Sequence, residues 1–296
     1  MLKKTLNVAL VQRSCSANVE ENLNANIAAI KKAGKQGAQL VLLQELHNSL
    51  YFCQVEDTDQ FDLAESIPGP STDALSLAAQ EAGVVVVSSL FERRAAGLYH
   101  NTAVVYDSDG SIAGRYRKMH IPDDPGFYEK FYFTPGDLGF TPIETSVGKL
   151  GVLICWDQWY PEAARLMALA GADLLLYPTA IGWDPKDTPD EQERQRQAWI
   201  TIQRAHSIAN GIPTLVCNRA GHETDPCGQS EGIKFWGTSF VCGPQGEILA
   251  ESSITQNEIL QCDIDLNRSE EIRRIWPYLR DRRIDDYDEL TLRYRD

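Results

Sequence analysis

The sequence predicts an α/β protein with a mixed sheet, or sheets, covered by helices, and three observations carry that expectation. Short apolar, β-branched runs (AQLVLL at 38–43, VVVVSSL at 84–90, GADLLLY at 171–177) read as strands buried on both faces. Between such runs lie longer segments with apolar residues every three or four positions, the spacing of an amphipathic helix. Several strand–turn–strand units interrupt strict βαβ order, so the strand order is mixed rather than wholly parallel. No linker or internal repeat divides the chain. We read residues 1–266 as one unit and 267–296 as its C-terminal arm.

Thr5 to Gln12 alternates enough for a first strand. Val19 to Ala33 carries Leu23, Ile27 and Ile30 at helical spacing and stops around Gly34 and Gly37. After the strand Ala38 to Leu43 comes Glu45. A carboxylate at the end of an apolar strand is costly if buried unpaired, so position alone places Glu45 in solvent, with a buried partner as the alternative. Asp73 to Gly83 reads as a helix capped by Ser71 or Thr72. Asn101 to Asp107 and Ile112 to Tyr116 flank the turn Ser108-Asp109-Gly110 as a hairpin. Lys118 follows in RYRKMHIP, where a lone lysine is ordinarily a solvated cation. Residues 121–140 form a Pro/Gly-rich loop dense in aromatics and acids, and long loops inside compact domains are often functional.

In residues 148–169, GKLGVLICWDQWYPEAARLMAL, a strand through Val152, Leu153 and Ile154 ends at Cys155. Pro161 suits a first helical turn, and Glu162 puts an anion near the positive helix end. Cys155 therefore sits on a tight strand-to-helix turn, which exposes a sulfur and aims backbone N–H groups at whatever it attacks. A helix start or a cation nearby would lower the thiol pKa. From this stretch alone, a buried structural cysteine remains the alternative.

Beyond it, Gly171 to Tyr177 is a strand, and Arg194 to Asn210 is a helix with Ala198, Ile202, Ala205 and Ile208 as its inner face and Gly211 as its C-terminal cap. Ile212 to Asn218 is a strand, Phe235 to Cys242 and Glu247 to Ser252 form a hairpin, and Ile259 to Ile264 is the last strand. The arm from Asn267 is highly charged, and its Trp276, Tyr278 and Tyr287 would prefer a surface to dock on, such as a subunit interface.

Composition narrows the function classes. The chain has 296 residues, 43% hydrophobic and 24% charged, an ordinary globular balance. No apolar run reaches the ~18 residues of a membrane-spanning helix. The start MLKKTLNVALVQRSC is basic, but its apolar part is short and broken by Asn7 and Gln12, unlike a signal peptide. Cysteines at 15, 53, 155, 217, 227, 242 and 262 are scattered and include no CxxC pair, which argues for reduced cytoplasmic thiols and against zinc or a disulfide framework. A net charge of −14 opposes nucleic-acid binding and suits a cationic small molecule. No membrane partner is expected.

Three segments acquire meaning together. Glu45 after AQLVLLQ, Lys118 in YRKMHIP and Cys155 in GVLICWDQWYPE resemble the three signatures of the nitrilase (carbon–nitrogen hydrolase) superfamily, in that family's order and across nearly the whole chain. Glu129 in YEKFYFTPGD matches a second glutamate that many members carry. The resemblance implies a four-layer α-β-β-α sandwich and a homo-oligomer built from dimers, in which the C-terminal arm crosses to a neighbour. HIPDDPGFYEKFYFTPGD, PTAIGWDPKD and WPYLRDRRIDDY further resemble the branch that acts on N-carbamoylputrescine, a small cationic ureido substrate.

What the resemblance implies for chemistry follows from a poor electrophile needing an activated nucleophile and a stabilised oxyanion. Cys155 supplies the nucleophile and Glu45 the general base. Lys118 donates to the oxyanion beside the backbone N–H of Trp156, and Glu129 orients Lys118 and the substrate nitrogen. No metal or organic cofactor is expected. The acids Asp123, Asp124 and Asp184 could receive a distal ammonium, with Phe127 or Trp183 packing its methylenes; solvated loop acids are the alternative. A carboxylate-bearing N-carbamoyl amino acid would instead want an arginine, for which Arg219 stands at a strand end. A non-catalytic binding relative is the reading from another class. It fits poorly with a lysine set between two acids, a costly arrangement without chemistry to do.

Overall fold

The computed structural model describes residues 5–295; the basic start at 1–4 and residue 296 of the arm lie outside the described residues. Strand β1 (Thr5–Gln12) is followed by helix α1 (Val19–Lys35), β2 (Leu40–Leu43), α2 (Pro70–Ala82), β3 (Val85–Ala95), β4 (Leu98–Tyr106) and β5 (Ile112–Arg117). Next come α3 (Glu129–Tyr132), β6 (Ile143–Thr145), β7 (Gly148–Val152), α4 (Pro161–Leu169), β8 (Leu174–Pro178), β9 (Gly182–Trp183) and α5 (Pro189–Asn210). The chain ends through β10 (Thr214–Cys217), β11 (Ala220–Glu223), β12 (Ile233–Trp236), β13 (Phe240–Cys242), β14 (Ile248–Glu251), β15 (Glu258–Asp265) and α6 (Asn267–Ile275).

Two six-stranded sheets, ordered β15-β1-β2-β3-β4-β5 and β14-β13-β10-β8-β7-β6, pack face to face, and a three-stranded sheet β11-β12-β9 lies apart from them. The alternation of side chains along a strand explains the layers. Leu6, Val8, Leu10, Leu40, Leu42, Val85 and Val87 point into a core shared with Leu150, Val152, Leu174 and Leu176 of the second sheet. Their neighbours Ala9, Val11, Val41, Leu43 and Val86 point the other way, onto Ile30 and Ala33 of α1 and Leu75 and Ala79 of α2. Helices α4 and α5 cover the outer face of the second sheet. The chain is thus a four-layer α-β-β-α sandwich, as the resemblance implies, and the central strands read as unbroken apolar runs because both faces are covered.

Several elements differ from expectation for identifiable reasons. Helix α2 begins at Pro70 with Gly69 as its cap, so neither Ser71 nor Thr72 occupies the cap position. The Thr72 hydroxyl instead accepts from the Gly69 N–H at 2.6 Å, and the Ser71 N–H donates to Glu65 at 2.8 Å. Residues 235–242 are not one strand: Gly237 and Thr238 have φ of 47° and 54°, and this left-handed break sends β12 and β13 to different sheets. Helix α5 buries the opposite face from the one predicted. Trp199, Ile200, Gln203, His206, Ser207 and Asn210 are inside, while Ala198, Ala205 and Ile208 face outward. Polar partners override the apolar stripe: Trp199 Nε1 donates to Gln158 Oε1 at 2.9 Å, His206 Nε2 lies 2.8 Å from the Gln158 carbonyl, and Ser207 donates to Thr214 at 2.7 Å. Gly211 caps α5 at φ 61°, as expected.

Strand direction brings the site together. Strand β2 is parallel to β3, and β5 is returned to the same direction by two antiparallel pairings, so Glu45 and Lys118 leave the first sheet at one end. Strands β7, β8 and β10 are mutually parallel, and Cys155, Ala180 and Arg219 leave the second sheet together. No helix among the described residues is long and apolar enough to cross a membrane.

Candidate active site

Glu45, Lys118 and Glu129 have no solvent exposure, against the solvated reading of both the first acid and the lysine. Lys118 Nζ donates to Glu45 Oε1 at 2.7 Å and to Glu129 Oε2 at 2.6 Å. Each carboxylate has a second donor: Asn101 Nδ2 reaches Glu45 Oε1 at 2.7 Å, and the Tyr51 hydroxyl reaches Glu129 Oε1 at 2.7 Å. Glu45 Oε2 alone has no partner, which leaves a buried carboxylate oxygen able to take a proton. Burial works against the Lys118 charge, but Glu129 and Glu45 outweigh it and hold the ammonium well above its ordinary value. Burial, with the charge of Glu45, pushes Glu129 up to about 7 against the pull of Lys118.

Cys155 opens a 3-10 turn spanning Cys155–Trp159, with α4 starting at Pro161. Its φ is 42°, a left-handed conformation that a non-glycine residue keeps only when its surroundings impose it. Asp157 supplies much of that constraint. Its Oδ2 accepts from the Ile154 N–H at 2.9 Å and from the Tyr116 hydroxyl at 2.8 Å, while Oδ1 accepts from the His120 N–H at 3.0 Å. One buried carboxylate thereby ties the Cys155 turn to the segment that carries Lys118. Trp156 is second in the turn, where the start of a helix leaves an N–H without an intrahelical acceptor. The thiol itself is held well above its ordinary pKa, first by burial and then by Glu45, with Lys118 pulling the other way. That corrects the expectation of a lowered pKa: Cys155 rests as a thiol and needs a base to become a nucleophile.

A cavity of about 410 Å³ opens onto Cys155. Asp124, Phe127, Glu129, Trp156 and Asp184 line it, as do Asp187, Gln195 and Trp236. Every charged side chain in that lining is an acid. Asp123 and Trp183 are not part of it; Trp183 Nε1 donates to the Gln192 carbonyl at 3.0 Å, and its ring meets Trp236 edge-on. Arg219 is fully buried with its donors spent on Glu223 and on the carbonyls of Glu45, Leu46 and Ser49, so it offers no fork to a substrate carboxylate. The sequence alone points to no role for Tyr51, Asn101, Asp157 or Glu223, and it suggests a different one for Arg219. Each acts through partners distant in the chain, and Arg219, placed at a strand end as a carboxylate receptor, instead spends its donors on Glu223 and the 45–49 carbonyls.

Among known proteins, a carbon–nitrogen hydrolase family model matches residues 7–274. An N-carbamoylputrescine amidase of Solanum lycopersicum is 41% identical over 290 residues, covering 97% of this chain and 95% of that protein. A citrullinase of Francisella tularensis is 40% identical over 290 residues, covering 98% and 99%. The crystal structure of a carbon–nitrogen hydrolase from Helicobacter pylori G27 superposes with a TM-score of 0.95 at 54% identity, covering 98% of this chain and 100% of that one.

Proposed function

The chain belongs to the carbon–nitrogen hydrolase family, and we propose that it hydrolyses N-carbamoylputrescine to putrescine, carbon dioxide and ammonia through a covalent intermediate on Cys155. The observation that carries the substrate is the lining of the cavity, whose charged side chains are all acidic and would meet a distal ammonium. In the first step Glu45 Oε2 takes the thiol proton as Sγ bonds to the ureido carbonyl carbon. The oxyanion is held by Lys118 and the Trp156 N–H. Collapse breaks the C–N bond, and Glu45 returns the proton to the departing ammonia. Water, deprotonated by Glu45, then attacks the thiocarbamoyl carbon. The thiolate leaves, recovers the proton, and the released carbamate loses carbon dioxide.

Asp184, partly exposed beside the cavity, is the acid we assign to the distal ammonium. Asp184→Asn raises KM for N-carbamoylputrescine on the order of tenfold with kcat retained, the loss of one charge-assisted contact. Ammonia release from N-carbamoylputrescine, N-carbamoyl-β-alanine and citrulline, with Cys155→Ala as blank, checks this directly. Citrulline belongs in that set because of the citrullinase relative and because Lys186 and Asp184 both line an adjoining cavity of about 380 Å³. A zwitterionic tail would meet both signs there. Preference for citrulline sinks the diamine reading and keeps the cysteine chemistry.

We also propose that the protein works as a dimer in the cytoplasm. Leu166 and Leu169 of α4 and Ile208 of α5 are 45%, 49% and 41% exposed, Ile208 shares a surface hollow with Tyr278 of the arm, and Trp276 of the arm is 54% exposed. Large apolar side chains left exposed on two packed helices and the arm beside them suit an interface. Seven free cysteines suit a reducing compartment. Sedimentation at micromolar concentration should give twice the chain mass, and Leu166→Arg should halve it; a wild-type monomer refutes the dimer.

A further inference from the structure

We propose that Arg219 and Glu223 form a positioning pair that sets the two carboxylates around Lys118, an inference that rests on Glu45 being the base. The pair is buried, with Arg219 Nη1 on both Glu223 oxygens at 2.8 and 2.7 Å. The remaining guanidinium donors all go to the backbone of one segment. Nε and Nη2 reach the Glu45 carbonyl at 3.2 and 3.0 Å, Nη2 also reaches the Leu46 carbonyl, and Nη1 reaches that of Ser49 at 3.0 Å. Glu223 closes the clamp by accepting from the Tyr51 N–H at 2.8 Å and the Cys15 N–H at 3.0 Å.

The clamped segment begins at Glu45 and ends at Tyr51, whose hydroxyl holds Glu129. One ion pair therefore holds the backbone of Glu45 and of Tyr51, the residue whose hydroxyl binds Glu129, without touching either acid's carboxylate. Leu46, between them, has a φ of 48°. A non-glycine residue holds that conformation only where its surroundings over-determine it, and the Arg219 contact to its carbonyl is one such constraint. A buried ion pair is weak evidence for stability, because desolvation offsets the attraction. The fork geometry is what a lysine cannot reproduce, since it has three donors from one point in place of five spread over a plane. The guanidinium also lies 5.9 Å from the Tyr51 ring centroid and 5.7 Å from that of Phe235, which fixes its plane.

The test uses Arg219→Lys and Glu223→Gln in the full chain, with Glu45→Gln as reference. Iodoacetamide, a primary amide, alkylates Cys155: Sγ bonds to the methylene carbon, iodide leaves, and the thiol proton passes to Glu45. The rate is followed by mass spectrometry of the Cys155 peptide and needs no knowledge of the natural substrate. Both positioning variants should unfold cooperatively yet alkylate at least tenfold more slowly, with kcat at least tenfold lower and KM within twofold of wild type. Wild-type rates in both variants, a raised KM with kcat kept, or loss of folding in both would overturn the proposal. Wild-type alkylation in Glu45→Gln would instead overturn the base assignment, so the two failures are told apart.

Discussion

Cys155→Ala leaves the fold standing and lowers ammonia release on the order of 10⁶-fold, the scale seen when a covalent nucleophile is removed. The side chain is 3% exposed on the wall of the cavity, and its thiol makes a weak 3.8 Å approach to the Ala180 carbonyl. Truncation therefore costs one buried sulfur and no hydrogen-bond network, about 1 kcal/mol, the middle of the range for a point substitution. The turn itself survives, because Asp157 fastens it at Ile154, Tyr116 and His120 without using the thiol. Ammonia release beside a circular dichroism melt checks both halves. Turnover above a hundredth of wild type in a folded variant would refute the nucleophile, and unfolding would make Cys155 a packing residue.

Much of this was legible in the sequence where local chemistry decides. The strands were readable because burial on both faces forces continuous apolar runs, as at Leu40–Leu43 and Val85–Val87. The order of Glu45, Lys118 and Cys155 was readable through resemblance. Burial was not. Glu45 and Lys118 each look solvent-bound in their own segment, and only the return of β5 to the direction of β2 and β3 puts the lysine between two acids. The same limit inverted α5: its apolar spacing pointed at Ala198 and Ile208, but the turn after Cys155 offers Gln158 as a polar partner to Trp199 and His206. The thiol pKa is not legible locally, because a helix start and a nearby cation show in the sequence while the burial that outweighs them does not. A strand-end arginine such as Arg219 suits a substrate carboxylate in sequence, and only the fold shows its donors spent on segment 45–51.

Lys118→Met should cost both catalysis and stability, and the stability loss should depend on pH. Loss of an oxyanion donor raises the barrier by about 2.7–4 kcal/mol. Removing the cation also leaves Glu45 and Glu129, both unexposed, facing one another with only Asn101 and Tyr51 as remaining donors. Breaking a buried ion pair costs about 3–5 kcal/mol, a large share of a total stability near 5–15 kcal/mol. With the lysine present Glu129 is already held at about 7, above the unfolded value. Without it, the facing charge of Glu45 raises the folded pKa of Glu129 further. A folded pKa above the unfolded one contributes stability that is complete below ~4.3 and disappears as pH rises through the folded value. The variant should therefore be closest to wild type near pH 5 and fall progressively behind toward pH 8, in denaturant titrations read at both ends. Wild type keeps the ammonium charged across that window, so its own curve is flatter. A deficit of equal size at both pH values would mean that the lysine stem fills space and that its charge is incidental to the fold.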